Sequence, residues 1–83
     1  VAMTLRFNAG YMPVEAALRS MASERGYDIA GGTLTIALDQ GEQEWRFIAV
    51  ARSRQKMVQI SDLATEMARF EGVKSFHLAY ARN

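Results

Sequence analysis

Hydrophobic and polar residues alternate in three parts of the chain. In residues 1–7 every odd position is apolar, and residues 33–38 and 73–81 show the same alternation. A period of two residues predicts strands that bury one face and expose the other. The two glycines Gly31 and Gly32, directly before the second of these strands, predict a bend or bulge at that point.

Residues 44–52 form a fourth stretch of a different character. Aromatic and β-branched side chains occur there at both even and odd positions, namely Trp45, Phe47, Ile48 and Val50. Such a stretch is typical of a central strand that is covered on both faces. We therefore expect a neighbouring strand on each side of it and helices on one face. The polar residues 39–43 predict a hairpin with the strand before it.

Two segments have apolar residues at intervals of three and four, which predicts amphipathic helices. The first segment is residues 14–25 and the second is residues 57–70, and a glycine that can end the helix follows each of them. The start of the second helix stays open, because Ser53 and Ser61 are both good capping residues.

The order of elements is therefore βαββαβ. Short, right-handed connections turn this order into an α+β fold, a four-stranded antiparallel sheet with two helices on one face. The first and third strands should be central, and the second and fourth should form the edges. A chain of 83 residues has room for a single domain, which we place at residues 1–83.

Composition excludes several classes of function. The net charge is +1, so no overall field attracts nucleic acid or anionic lipid. The absence of cysteine removes disulfides, thiolate nucleophiles and cysteine-based zinc sites. No apolar run approaches the roughly 20 residues that span a bilayer.

Two junctions resemble those of ACT domains. Residues 23–29, Ser-Glu-Arg-Gly-Tyr-Asp-Ile, resemble the junction at which a helix ends at glycine before the second strand. Residues 70–76, Phe-Glu-Gly-Val-Lys-Ser-Phe, resemble the Gly-Val-x-x-Phe start of the last strand. In pattern and spacing, nearly all of the chain is most similar to the soluble C-terminal domain of the MgtC/SapB family of bacterial inner-membrane proteins.

This resemblance implies a ferredoxin-like ACT fold and a chain that is part of a longer membrane protein, consistent with its start at Val1. The domain would be a cytoplasmic tail, soluble as a fragment, of a protein linked to growth in low magnesium and to virulence. Such a tail would be a regulatory domain that acts through protein contacts without catalysis and without a cofactor.

The resemblance also suggests an alternative, a small-ligand sensor that binds an amino acid or anion near Gly10 or Arg54. Many ACT domains bind an amino acid at the loop after the first strand, which is built around an acidic residue and a Pro-Gly pair. Here residues 8–12 contain no acid and Pro13 is displaced, which disfavours amino-acid binding.

The register of the central strand decides what the open face of the sheet presents. If Ile48 and Val50 pack under the helices, five residues form an apolar surface on the other side. These are Trp45, Phe47, Ala49, Ala79 and Ala81. Such a surface would be covered by a second copy or by another protein. The opposite register exposes Ile48 and Val50 instead and supports the same function with a weaker surface.

A basic cluster, Arg52, Arg54 and Lys56, follows the central strand. Basic side chains beside a helix N-terminus can receive a phosphate or contact anionic lipid headgroups. Each charge adds only about 1 kcal/mol of attraction to an anionic membrane, so the cluster would assist a domain that is already tethered. The alternative interpretation is a plain solvated loop.

Candidates for chemistry are few. The only histidine, His77, lies on an outward-facing position of the last strand, where a surface or interface role is expected. Asp39, Glu42 and Glu44 lie close together near the hairpin and offer carboxylates to a hard cation such as Mg²⁺. They lack the density of a dedicated site, so a solvated turn is the favoured interpretation, and we expect no metal site.

Other families with this topology fit less well. RNA-recognition motifs need a basic residue, a glycine and spaced aromatics on their third strand, and residues 45–50 contain no glycine. RNA binding is therefore a minor alternative, and we expect no nucleic-acid partner. Acylphosphatases have a glycine-rich phosphate loop with an arginine after the first strand, which is absent here. An enzyme is the least expected class, because no nucleophile–base pair can be assembled.

Overall fold

The computed structural model describes residues 1–52 and 59–80. The elements are β1 (Ala2–Phe7), α1 (Glu15–Glu24), β2 (Tyr27–Ile29), β3 (Thr35–Asp39), β4 (Glu42–Ala51), α2 (Ile60–Arg69) and β5 (Val73–Ala79). The predicted α+β class is confirmed, with one antiparallel sheet and two helices. Within the described ranges, no helix has the length and apolar character needed to cross a membrane.

The sheet has five strands, so the predicted number of four is wrong. β4 pairs with β1 along one side, and β1 pairs with β5. On the other side of β4, β2 pairs with Ala49–Ala51 and β3 pairs with residues 42–46. The predicted second strand is thus two strands that lie end to end beside β4. β1 and β4 are central, as expected from the sequence.

The predicted bend at Gly31 and Gly32 causes this division. Gly32 has φ of +79°, a backbone conformation that side chains disfavour, and the chain leaves the sheet between Ile29 and Thr35. Thr33 replaces part of the missing strand, because its Oγ1 accepts the backbone N–H of Ile48 at 3.1 Å. The glycines therefore end one strand and start another without leaving the Ile48 amide unsatisfied.

β3 and β4 form the predicted hairpin through a shorter turn than the five-residue loop expected. Asp39 lies opposite Glu42, so only Gln40 and Gly41 connect the strands. Both have positive φ, +53° and +79°, which is the conformation of the type I′ turns that suit the twist of hairpins.

The core lies between one face of the sheet and both helices. β1 contributes Met3, Leu5 and Phe7, and the helices contribute Leu18, Ala22, Leu63 and Met67. β2 adds Tyr27 and Ile29, and β4 adds Trp45, Phe47 and Ala49. All twelve side chains form a single cluster, so one layer of helices covers one face of the sheet.

Of the two registers of β4 that the sequence left open, the structure has the one that buries Trp45 and Phe47, which are only 4% and 3% exposed. Leu5 lies opposite Trp45 and Met3 lies opposite Phe47, and residues paired across strands share a face. The core side of β1 therefore selects the odd residues of β4, including Ala49. Burying an indole and a phenyl ring also removes more apolar area from water than burying Ile48 and Val50 would.

Helix α2 begins at Ile60, with Gln59 at the capping position, close to the predicted start at Ser61. The other predicted start, Ser53, lies outside the described residues. Helix α1 begins after Val14 and is followed by Gly26, which has φ of +86°. This left-handed glycine ends the helix as the sequence predicted.

Candidate interaction surface

The most exposed strand of the sheet is β3, in which all five residues are accessible to solvent. Ile36 is 53% exposed and Leu38 is 70% exposed. In the part of the chain that the structure describes, β3 pairs with β4 alone, so its other edge is unpaired. An exposed edge that carries large apolar side chains is a template for pairing with another chain.

Ile36 and Leu38 point to the same side of the sheet as the core. Ile36 lies opposite the buried Trp45, and Leu38 lies opposite Gln43. Met12 is close to them, since its Sδ is 3.8 Å from Nε2 of Gln43, and it is 73% exposed. We call Met12, Ile36 and Leu38 the apolar strip. The strip extends the core face of the sheet beyond the helices.

The position of the helices explains why the apolar strip is uncovered. Helix α1 packs beside β2, and helix α2 packs beside β5. β3 follows β2 along the same edge of β4, but beyond the part that α1 covers. The alternation in β3 is therefore that of a half-buried strand, while among residues 1–52 and 59–80 no helix packs on its apolar side.

The opposite face of the sheet is charged rather than apolar near the hairpin. Five side chains form a chain of contacts, with Lys74 Nζ 2.5 Å from Glu42, Arg6 3.3 Å from Glu42 and 3.1 Å from Glu44, and Arg46 3.1 Å from Glu44. The hydrogen bond from Lys74, joined by the charges of Lys74 and Arg6, lowers the pKa of Glu42. The prediction that the open face of the sheet is apolar is therefore wrong at the hairpin end.

The other end of the open face keeps a small apolar area. Val50 is 52% exposed, and Ile48 is half-buried on the same side. Ala79, which the sequence assigned to the interaction surface, is half-buried and lies opposite Ala2 on this face. This area corresponds to the weaker surface of the alternative register.

Three of the five predicted interaction residues, Trp45, Phe47 and Ala49, lie in the core and do not present a surface. Ala81 lies outside the described residues. Ile36 and Leu38 were not predicted as interaction residues, because their alternation is typical of a strand with one buried face. The signal that identifies them is the glycine pair before β3, which marks where the strand leaves the helix layer.

Arg52 holds two elements of the protein together. Its Nη1 donates to Ser23 Oγ at 2.9 Å and to Asp28 Oδ1 at 3.0 Å, and its Nη2 donates to the Ser23 carbonyl at 2.6 Å. The guanidinium thus ties the end of α1 to β2, which favours a structural role. Arg54 and Lys56 lie outside the described residues, so anion or headgroup binding by the basic cluster stays a prediction.

The candidates for chemistry are not brought together. Asp39 is exposed near Glu42, whereas Glu42 and Glu44 are paired with Arg6. In residues 1–52 and 59–80, no three Asp, Glu or His side chains are grouped so that they could hold a metal ion. His77 is exposed and lies opposite Thr4 in a groove of about 180 Å³ on the open face.

In the loop after β1, Tyr11 packs on the protein itself. Its ring stacks on Phe7 with centroids 5.8 Å apart, and its hydroxyl donates to Glu71 at 3.0 Å. A Cβ on Gly72 would lie 2.3 Å from the Tyr11 ring, so the ring packs directly on the backbone there. The Tyr11 ring is thus packed against Phe7 and Gly72, whereas the space beside Gly10 is open, and ligand binding near Gly10 stays a prediction.

A larger depression of about 480 Å³ lies between α1 and β2. It is lined by Arg19, Ser20, Ser23, Asp28 and Ile29. Its two charged groups already have partners, because Arg19 Nε donates to Glu15 at 2.8 Å and Asp28 accepts from Arg52. The depression is roomy enough for a small molecule, but its charges are compensated.

Comparisons with protein-family models, with curated proteins and with solved structures found no match to this chain. The resemblance to ACT domains therefore depends on residues 23–29 and 70–76 and on the order of elements.

Proposed function

We propose that this chain is a non-catalytic protein-interaction domain and that it docks through β3. The observation that carries this proposal is the exposure of Ile36 and Leu38 on an unpaired edge strand. A partner strand added to β3 would form main-chain hydrogen bonds, and its side chains would cover the apolar strip.

The sequence of β3 supports docking because the usual protection of an edge strand is absent. Natural edge strands are blunted by lysine, proline, bulges or very short length. β3, Thr-Ile-Ala-Leu-Asp, has five residues, no proline and no lysine, and its one charge is Asp39 at the end. The exposed edge is therefore available to a partner.

The pairing of charges supports a non-catalytic role. In the described part of the chain, charged side chains contact each other in ion pairs such as Arg6–Glu44, Arg25–Glu66 and Arg52–Asp28. A catalytic acid or base needs a site in which its proton can be exchanged with a substrate. Ion pairs of this kind, whose side chains all stay at least partly accessible to solvent, serve solubility and local geometry.

The finer assignment is also a proposal. We propose a ferredoxin-like ACT-like domain that forms the cytoplasmic tail of an MgtC-type inner-membrane protein linked to low-magnesium growth and virulence. The central positions of β1 and β4 and the single helix layer support it, because β2 and β3 together occupy the place of one edge strand. The assignment to an MgtC-type protein depends on the resemblance of residues 23–29 and 70–76 and on the similar pattern and spacing of the whole chain.

A site-specific cross-linker tests the interaction function. A photoreactive phenylalanine at position 38 should give a protein adduct in a lysate of the source cells, while the same residue at the exposed Glu24 of α1 should not. Mass spectrometry identifies the adduct, and the purified partner should bind the unmodified domain at least tenfold more tightly than the variant Leu38→Lys. An absence of adducts at position 38, or equal adducts at both positions, would overturn the proposal.

A small-ligand sensor is the second candidate, and the depression between α1 and β2 is the observation that favours it. NMR shifts of Ser20, Ser23 and Asp28 on addition of amino acids or phosphate would support it, and silence across such a panel would exclude it. RNA binding is disfavoured, since Trp45 and Phe47 are buried and β4 has no other aromatic side chain for base stacking.

A further inference from the structure

We infer that the partner which covers β3 is a second copy of this chain, paired strand to strand and antiparallel about a twofold axis at Ala37. This inference rests on the proposed function and adds the identity of the partner and the register of the contact. It follows from the backbone, apolar and charge patterns of β3, which agree on one arrangement.

The backbone pattern shows which residues of β3 have free groups. Ile48 donates its N–H to Thr33 and accepts the N–H of Ala30, so the even residues of β4 direct their backbone groups toward this edge. Thr35, Ala37 and Asp39 are the residues of β3 that lie opposite even-numbered residues of β4. Their backbone N–H and C=O groups therefore form the hydrogen bonds of the hairpin. Hydrogen-bonded and non-hydrogen-bonded pairs alternate, so Ile36 and Leu38 direct their N–H and C=O groups outward.

Antiparallel pairing about Ala37 places Ile36 of one copy opposite Leu38 of the other. Both residues direct backbone groups outward, so each such pair exchanges two hydrogen bonds and the interface contains four. The side chains of Ile36 and Leu38 from both copies then lie on the same face. The two apolar strips become one continuous surface, in which every exposed β3 side chain of large size has an apolar neighbour.

If the twofold axis is shifted by one residue in either direction, fewer residues of β3 pair with β3 of the other copy. A shift that places the axis at Ile36 sets Leu38 opposite Leu34, which precedes β3. A shift that places it at Leu38 sets Ile36 opposite Gln40, whose positive φ belongs to the turn. The axis at Ala37 alone pairs all five residues of β3.

The charges also fit this register. Arg46 lies beside Thr35 on the open face, and its side chain is 66% exposed. Asp39 of the second copy would lie on the other side of Thr35 and on the same face. The arginine and the aspartate of the two copies then lie in one row across the sheet, with Thr35 between them. They have opposite signs, this arrangement occurs twice per dimer, and no like charges lie directly opposite each other across the new strand pair.

A strand of five residues with one apolar strip forms a small interface, below the roughly 1,200 Å² of standard stable complexes. We therefore expect a dimer that forms at high protein concentration and dissociates on dilution. Tethering to a common membrane or parent assembly would raise the effective concentration and favour the paired state.

Sedimentation of the 83-residue chain over a concentration series tests the pairing. The parent chain should shift from monomer to dimer, and Leu38→Lys should raise the dissociation constant at least tenfold, since each lysine would lie beside Ile36 of the other copy. Val50→Lys is the matched control, because Val50 is also an exposed apolar residue on a strand, 52% exposed against 70% for Leu38, but lies on the opposite face of the sheet from the strip. This variant should associate like the parent. Circular dichroism confirms that the variants are folded.

Cysteine cross-linking tests the register. The chain has no cysteine, and non-hydrogen-bonded partners across an antiparallel pair have Cα atoms about 4.5 Å apart, within the range for a disulfide. Ala37→Cys should therefore oxidise rapidly to a covalent dimer. Thr35→Cys, on the same strand and face, would lie opposite Asp39 and not its own copy, and should cross-link at least tenfold more slowly.

Each outcome decides between the two proposals. A parent chain that stays monomeric, a dimer that Leu38→Lys leaves intact, or equal oxidation of both cysteine variants would overturn the strand-to-strand dimer. If the photoreactive residue at position 38 then captures a different protein that binds specifically, the interaction function stands without the dimer. If it captures nothing, both proposals fail.

Discussion

The indole N–H of Trp45 donates a 2.9 Å hydrogen bond to Oε1 of Gln43, which lies two residues earlier on the same face of β4. The contact satisfies the only polar atom of a side chain that is 4% exposed. Gln43 also lies between the core and the apolar strip, because its amide nitrogen contacts Met12. The side-chain amide of Gln43 thus lies at the boundary between the part of the core face that the helices cover and the exposed apolar strip.

Gln43→Ala should destabilise the domain by about 1–2 kcal/mol, since the buried indole N–H would lose its partner. Urea unfolding followed by the fluorescence of Trp45, the only tryptophan, measures the change. Ser20→Ala, at an exposed position of α1, is the control and should stay within about 0.5 kcal/mol. Equal stability of both variants would show that the indole does not depend on Gln43.

The register of β4 predicts very different effects on its two faces. Phe47→Ala should lower the free energy of unfolding by about 3–5 kcal/mol or abolish folding, because its ring is 3% exposed in the core. Val50→Ala, three residues later on the same strand, should change it by less than about 1 kcal/mol because Val50 is 52% exposed. A larger effect at Val50 than at Phe47 would contradict the register.

Alanine substitutions at two glycines with nearly the same φ can distinguish the cost of backbone strain from the cost of a steric clash. Gly72 has φ of +84° and Gly10 has φ of +81°, so alanine is strained at both by about 1 kcal/mol. At Gly72 the new Cβ would also lie 2.3 Å from the Tyr11 ring, whereas at Gly10 no atom lies within 4 Å. Gly72→Ala should therefore be clearly more destabilising in thermal unfolding, and equal values would argue against the close packing of Tyr11.

The lowered pKa of Glu42 predicts that the folded domain loses stability in acid. Its pKa is lowered by the hydrogen bond from Lys74, so the folded state binds this proton less readily than the unfolded state. The stabilisation is complete above the unfolded pKa near 4.5 and is lost as the pH falls through the lowered value. Lys74→Met should raise the pKa of Glu42 in a carboxyl NMR titration and reduce the dependence of unfolding free energy on pH in that window.

Arg46→Met is the matched control for this titration. Arg46 is a cation of the same charge network, but it contacts Glu44 and not Glu42. Its removal should leave the pKa of Glu42 nearly unchanged. A shift of similar size in both variants would mean that the field of the whole network, rather than the Lys74 contact, sets the pKa.

The elements with a single apolar period were predictable from the residues alone. β1 and both helices have apolar residues on one side only, so their buried face follows from the periodicities of two and 3.6 residues. The hairpin and the bend at Gly31 and Gly32 followed from turn chemistry in the same way. The α+β class and the central positions of β1 and β4 then resulted from short connections between neighbouring elements.

Tertiary packing decided the two features on which function depends. Residues 45–50 are apolar at both parities, so only the pairing of β4 with Leu5 and Met3 could select Trp45 and Phe47 for the core. Ile36 and Leu38 alternate like a half-buried strand, yet whether a helix covers them depends on where α1 and α2 lie. Periodicity along a chain defines which residues share a face of an element. Burial of that face requires a second element that packs on it, and neither α1 nor α2 extends over β3.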